Sequence, residues 1–276
     1  MSDGILSGRV AIVTGGASGL GRAIALRLAR EGTNVTIMSL SEQRVRRHTT
    51  ELKYFADRSE IEKTRQDIEG LGVSCRSFDG DVSIGKDVEH LVQFTHDAFG
   101  RVDILVNNAA TNCVHTVLRH DDAAWKRVID VNLYGAYRCT REVLPHMLRG
   151  GWGRIISIAS TNAHVGTPEY SAYAASKHGL LGFSRSLALE VADQGITANT
   201  ISPGIIETPS GAMHLAKWAE REGIPPDELR RRWMENYPQK RFVQPEEVAE
   251  MVCYLCRQEA RAINGEDIAV TTGASF

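Results

Sequence analysis

No apolar run in this 276-residue sequence approaches the ~20 residues that a membrane-spanning helix needs. An excess of one charge is missing too. The 32 basic and 34 acidic residues leave a formal net charge of −2, which gives no electrostatic case for nucleic acid or an anionic membrane as partner. Cysteine is scarce: the five thiols, at positions 75, 113, 139, 253 and 256, are odd in number and scattered through apolar contexts. That argues against a disulfide framework and for a reducing, cytoplasmic compartment. The first residues, MSDGILSGRVAIVTGG, lack the basic and apolar regions of a secretory signal. Cys253-x-x-Cys256 has no second pair and sits in the helical-looking EEVAEMVCYLCRQ, so buried thiols are expected there and no metal site.

What is present is a rhythm. Continuously apolar runs read as strands covered on both faces: Val10–Thr14, Val35–Met38, Ser74–Phe78, Ile104–Asn107, Arg154–Ser157, Thr197–Ile201 and Asp267–Val270. Amphipathic stretches between them predict helices at Gly21–Arg30, Asp87–Phe99, Ala123–Leu148, Ser171–Ala192 and Pro245–Gln258. The alternation predicts an α/β fold of the Rossmann type: a doubly wound parallel sheet of about seven strands with helices on both faces. No repeat, low-complexity tract or linker interrupts residues 1–276, so one domain is expected. Two stretches break the rhythm, a charge-rich insertion near 41–60 and a proline-containing segment near 207–244 placed to roof a site as a lid.

The first βα junction reads TGGASGLG. Gly15 permits a tight turn, Gly19 lets backbone approach a pyrophosphate, and Gly21 lets helix pack on strand. Free N–H groups at the helix start then face the phosphates. Further on, Tyr173 and Lys177 stand four apart on one helical face. A phenol with a reference pKa of ~10 is a poor base, and a neighbouring ammonium is expected to bring it towards working pH. Ser160 lies thirteen residues before Tyr173, just past a strand end, and is preferred to Ser157, which belongs to the sheet.

The spacing TGGASGLG, the pair Tyr173-x-x-x-Lys177, NNAA at Asn107–Ala110 and SPGIIET at Ser202–Thr208 together resemble the short-chain dehydrogenase/reductase family over nearly the whole chain. That resemblance implies an NAD(P)-dependent oxidoreductase moving a hydride between nicotinamide and a secondary alcohol or ketone. Tyr173 would be its general acid/base, Ser160 would polarise the substrate oxygen, and Lys177 would also hold the nicotinamide ribose. Asn132 would anchor a water that completes a proton relay. The cofactor would rest on Gly15, Ser18, Gly19, Leu20, Gly21, Ser39, Asn107, Asn108, Ala109 and Ala110. Asp81 and Val82 would meet the adenine, and Pro203, Gly204, Ile205, Ile206 and Thr208 the nicotinamide. A homotetramer or dimer through the long helices after the fourth and fifth strands is also implied.

Two departures qualify the resemblance. An acid that would select NAD is absent at the end of the second strand, where Ser39 and Leu40 stand. Arg44, Arg46 and Arg47 can reach a 2′-phosphate, which tips the expectation from NAD towards NADP; an alternative second strand at Lys53–Ala56 would instead make Asp57 an NAD-selecting acid. The C-terminal IAVTTGASF keeps only Gly273 where the family commonly has a glycine pair, in a region that commonly packs over the substrate pocket or at a subunit contact. Candidate substrate contacts are Asn112, His115, His164, Tyr170 and Trp218. Met213, His214 and Trp233 add an apolar roof, and Arg230–Arg232 are a weak attraction for an anion. Strings such as YAASKHGLLGFSRSLALE look like ketoreductases acting on acyl or polyketide chains, yet also occur in sugar, polyol and hydroxy-acid dehydrogenases. A nucleotide-binding sensor that lost turnover is the rival, although Ser160, Tyr173 and Lys177 are all retained. An epimerase or dehydratase is disfavoured by the loop spacing.

Overall fold

A computed structural model describes residues 4–41, 44 and 54–274. Seven strands form one parallel sheet in the order β3-β2-β1-β4-β5-β6-β7. They are β1 (Val10–Thr14), β2 (Asn34–Ser39), β3 (Cys75–Asp79), β4 (Ile104–Asn107), β5 (Gly153–Ile158), β6 (Ile196–Pro203) and β7 (Asp267–Val270). Every residue of β1, β4, β5 and β6 is buried, while the edge strands β3 and β7 are partly open. The strands read as continuous apolar runs for that reason.

Nine α-helices cover the sheet among the described residues: α1 (Gly19–Arg30), α2 (Arg58–Glu69), α3 (Gly85–Phe99), α4 (Asp122–Ile129), α5 (Gly135–Gly150), α6 (Ser171–Glu190), α7 (Pro209–Glu222), α8 (Pro226–Glu235) and α9 (Pro245–Leu255). Side-chain alternation divides the core in two. Ala11, Val13, Ile104, Val106 and Ile156 pack with Ile24 and Leu28 of α1 and Val248 and Val252 of α9. Ile12, Leu105 and Ile155 point the other way, onto Val88 and Leu91 of α3, Val143 and Met147 of α5 and Leu187 of α6.

The helix expected over Ala123–Leu148 is α4 and α5 joined by a π-helical turn at Asp130–Tyr134. The alternative second strand is overturned. β2 pairs with both β1 and β3 through Asn34–Ser39, and Asp57 is the N-cap of α2, accepting the Glu60 N–H in a reciprocal capping box. The order of connection reverses between β1 and β4, which opens a crevice at the carboxyl ends of those strands.

Candidate active site

The glycine loop forms one wall of the crevice. The N-cap of α1, Ser18, is extended and makes no side-chain cap, and the first turn holds no acid. The positive end of α1 is therefore left for an external anion. Gly21 admits no side chain, because a Cβ there would lie 2.0 Å from the Gly15 carbonyl oxygen. Gly19 has φ +50° and faces Thr208 across the cleft, with a Cβ position 3.4 Å from the threonine. The opposite wall is the segment after β4. Asn108 Nδ2 donates to the carbonyls of Thr14 at 2.8 Å and Gly15 at 3.3 Å, while the N–H groups of Asn108 and Ala109 both donate to Thr14 Oγ1 at 3.0 Å.

A cavity of about 260 Å³ lies between these walls. It is lined by Gly15, Ser18, Gly19, Leu20 and Gly21, by Asn108, Ala109 and Ala110, by Ser160, Tyr173 and Lys177, and by Pro203, Gly204, Ile206 and Thr208. Nearly every residue expected at a nicotinamide cofactor is thus gathered on one surface. Of the rest, Ser39, Asp81 and Val82 line an adjoining pocket at the ends of β2 and β3, Asn107 lines a small cavity beneath Ala109, and Ile205 faces a second, larger cavity. The fit to a dinucleotide rests on the uncapped helix start and the missing Cβ at Gly21.

The adenosine end departs from expectation in three ways. Ser39 Oγ accepts the Ala17 N–H at 3.1 Å, which fastens the glycine loop to β2. The Asp81 carboxylate turns to Arg127 at 2.8 Å and to the N–H and hydroxyl of Ser83. Burial pushes its pKa up, but Arg127 and Ser83 outweigh that and hold it below the ordinary value. Arg44, expected at a 2′-phosphate, is bound to the Asp79 carbonyl and pairs with Asp87 at 3.2 Å; Arg46 and Arg47 lie outside the described residues.

Ser160 and Tyr173 line both the cofactor cavity and a second one of about 590 Å³, while Lys177 lines the cofactor cavity alone of these two. Ser160 starts a short 3₁₀ turn (Thr161–Ala163), and its hydroxyl is hydrogen-bonded to Tyr173. Burial pushes the Tyr173 phenol up to about 12, with the Ser160 hydrogen bond pulling the other way. Burial also brings Lys177 down to about 8. Its Nζ donates to the Ile158 carbonyl at 2.6 Å and stands 5.5 Å from the Tyr173 ring centre. The expectation that the ammonium draws the phenol towards neutral pH is therefore corrected. Desolvation dominates: it disfavours the charged form of each group, and the phenol stays neutral while the lysine keeps most of its protons at neutral pH.

Asn132 lies in the π-helical turn, a device that frees backbone groups from the helical ladder. Its side chain is fully used: Oδ1 accepts the Thr111 N–H at 2.8 Å, and Nδ2 donates to the Thr111 carbonyl at 2.9 Å and to Ser176 Oγ at 3.0 Å. A cavity of about 10 Å³ is bounded by Asn132, Lys177 and Asn107, which is about the room one water needs. Asn107 Oδ1 is buried without a hydrogen-bond partner among the described residues.

Of the substrate candidates, Asn112, Tyr170 and Trp218 line the larger cavity, together with His214 and Trp233. His164 does not line it. Its Nε2 pairs with Asp267 Oδ2 at 2.7 Å, which ties the turn after Ser160 to β7. His115 stacks edge-on with His120 instead of lining the cavity, and Met213 is exposed. Arg230 pairs with Glu207 and Arg232 with Glu228, so the expected anion attraction is spent on neighbouring carboxylates; Arg231 is exposed outside the lining. The atypical C-terminus packs on the end of the lid segment, with Thr272 Oγ1 donating to the Arg241 carbonyl at 3.1 Å.

Sequence reasoning missed Tyr54, which lines both the cofactor cavity and the adenosine pocket, and Phe55 and Ala56 beside it. The signal was available. Asp57-x-x-Glu60 is a capping box, and the start of a helix in a parallel fold lies at the ligand edge of the sheet.

Comparison with known proteins agrees with this geometry. The sequence model of a family described as Enoyl-(Acyl carrier protein) reductase matches residues 15–275. The chain is 34% identical over 262 residues to a D-beta-hydroxybutyrate dehydrogenase of Cupriavidus necator, covering 95% of each. It is 36% identical over 266 residues to a putative ketoacyl reductase of Streptomyces coelicolor, covering 96% of each. The crystal structure of a variant actinorhodin polyketide ketoreductase with NADPH superposes with a TM-score of 0.87 at 35% identity over 96% of each chain. That of levodione reductase gives 0.86 at 28% identity over 97% of this chain and 98% of the other. With its glycine loop, sheet order and near-complete coverage in agreement, the chain belongs to the short-chain dehydrogenase/reductase family and is an NAD(P)-dependent oxidoreductase of that family.

Proposed function

We propose that Tyr173 is the general acid/base of a reversible ketone–alcohol interconversion. The observation that carries this is the placement of Ser160 and Tyr173 on the wall shared by the cofactor and larger cavities. Hydride exchange is the chemistry that a bound nicotinamide supplies there. In the reducing direction the neutral Tyr173 phenol gives its proton to the carbonyl oxygen, which Ser160 polarises. Lys177, backed by a water in the small cavity beside Asn132 and Asn107, restores that proton. The α1 N-terminus would hold the phosphates, and α7 and α8 would roof the reacting carbon.

The test is Tyr173→Phe. Turnover of ketones should vanish while nucleotide affinity stays within about three-fold of wild type. Near-normal turnover in that variant would sink the assignment, whereas no turnover of any substrate by the unaltered protein with either cofactor would favour the sensor reading.

Parallel titration with NADH and NADPH decides the cofactor. Because Arg44 is bound elsewhere, a strong NADPH preference would fall to Arg46 or Arg47, and their replacement by alanine should abolish it. Tyr134 and Tyr137 on the α5 side are 50% and 38% exposed, and Leu189 of α6 is 82% exposed. This apolar face supports the homo-oligomer, which light scattering on the purified protein would count.

A further inference from the structure

We infer that the substrate is an uncharged ketone or secondary alcohol carrying a ring, and that carboxylate substrates are disfavoured. This rests on the oxidoreductase reading above and concerns the larger cavity. At about 590 Å³ that cavity is of a size to enclose a ring-bearing molecule. Five aromatic side chains line it: Tyr170, Tyr173, Trp218, Trp233 and Tyr237. Tyr170 and Trp218 are nearly parallel, with ring centres 6.2 Å apart and an interplanar angle of 9°, and Trp218 Nε1 donates to the Tyr170 hydroxyl at 2.9 Å. Tyr170 in turn stands edge-on to Tyr173 at 6.3 Å. The platform is thereby held in register with the proton-transferring phenol, and a flat apolar body lying on it would keep a carbonyl within reach of Tyr173 and Ser160.

The charges point the same way. The described lining contains no lysine or arginine, and its one carboxylate is Glu222. The nearby cations are engaged: Arg221 pairs with Glu169 at 2.7 Å, and Arg230 pairs with Glu207. A carboxylate entering this cavity would lose hydration, find no lysine or arginine and meet Glu222. An aromatic or alicyclic ketone would lose nothing comparable and would bury its surface against the rings.

Steady-state assays with acetoacetate, its ethyl ester and acetophenone test the charge and the ring separately. The ester should exceed acetoacetate in kcat/KM by at least roughly ten-fold, and acetophenone should bind more tightly than butanone. Trp218→Ala should lower the ratio of kcat/KM for acetophenone over butanone by about ten-fold. Glu222→Lys should narrow the gap between ester and acid. Acetoacetate turned over as well as its ester, or a Trp218→Ala loss equal for all ketones, overturns the inference while leaving the oxidoreductase reading intact. If no ketone is turned over, tryptophan quenching decides. Quenching by acetophenone that depends on Trp218 keeps the ring site and removes only the reaction; its absence overturns the site.

Discussion

The hydroxyl of Ser39, at the end of β2, accepts the backbone N–H of Ala17 at 3.1 Å. A position where an acid would meet a ribose is occupied here by a strut between β2 and the glycine loop, so its first effect is on the loop's shape.

Ser39→Ala should therefore weaken NADH and NADPH alike. The buried Ala17 N–H loses its partner, at a cost of about 1–3 kcal/mol. Isothermal titration with both nucleotides would show parallel losses; a loss confined to one of them would return the residue to cofactor selection.

Tyr54 is the second expectation. It borders both chambers of the cofactor cleft, and its hydroxyl donates to Glu60, which together with burial pushes the phenol up to about 12. Tyr54→Ala should raise the dissociation constant of both nucleotides by about ten-fold through lost ring contact. Tyr54→Phe should change it little, as read by nucleotide fluorescence. Wild-type affinity in the alanine variant would show that the ring lies beside the nucleotide without touching it.

Asn132 serves the fold as well as the proposed relay. Removing its side chain strips three partners from Thr111 and Ser176. Asn132→Ala should lower stability by about 2–4 kcal/mol in addition to slowing turnover. Urea unfolding measures the first effect; an unchanged midpoint would mean that water replaces all three bonds.

Lys177 gives a pH signature. Its pKa is lowered in the folded protein to about 8, so between there and the unfolded value of 10.5 the unfolded chain binds more protons. Stability from this residue must rise with pH across that window, because the cost of a buried ammonium disappears. Buried thiols such as Cys75 and Cys139, each pushed up to about 12 by burial, act in the opposite sense. The difference between wild type and Lys177→Met isolates the lysine. It should shift in favour of wild type by about 2 kcal/mol between about pH 7 and 9.5. A flat difference would mean that Lys177 is solvated.

Local signals were enough for the sheet and the catalytic helix. β1, β4 and β7 stand at the boundaries read from apolar runs, and Tyr173 and Lys177 share a helix because four residues make about one turn. Facts set by distant partners were hidden. The fate of Arg44 depends on Asp79 and Asp87, more than thirty residues away, and His164 finds Asp267 at a separation of 103 residues. The Tyr173 pKa was misjudged for the same reason. Spacing shows that an ammonium is near, whereas desolvation depends on everything packed around the pair.

Asn108 meets Thr14 across 94 residues of chain. The cofactor cradle accordingly has no local version that a fragment could form in advance. Its two walls come together only when β1 pairs with β4, a contact that closes a long loop of chain and carries its entropy cost. A nucleotide therefore cannot template the early steps of folding. It acts on the finished cradle by mass action, raising the melting temperature in proportion to the logarithm of its concentration while leaving the refolding rate nearly unchanged.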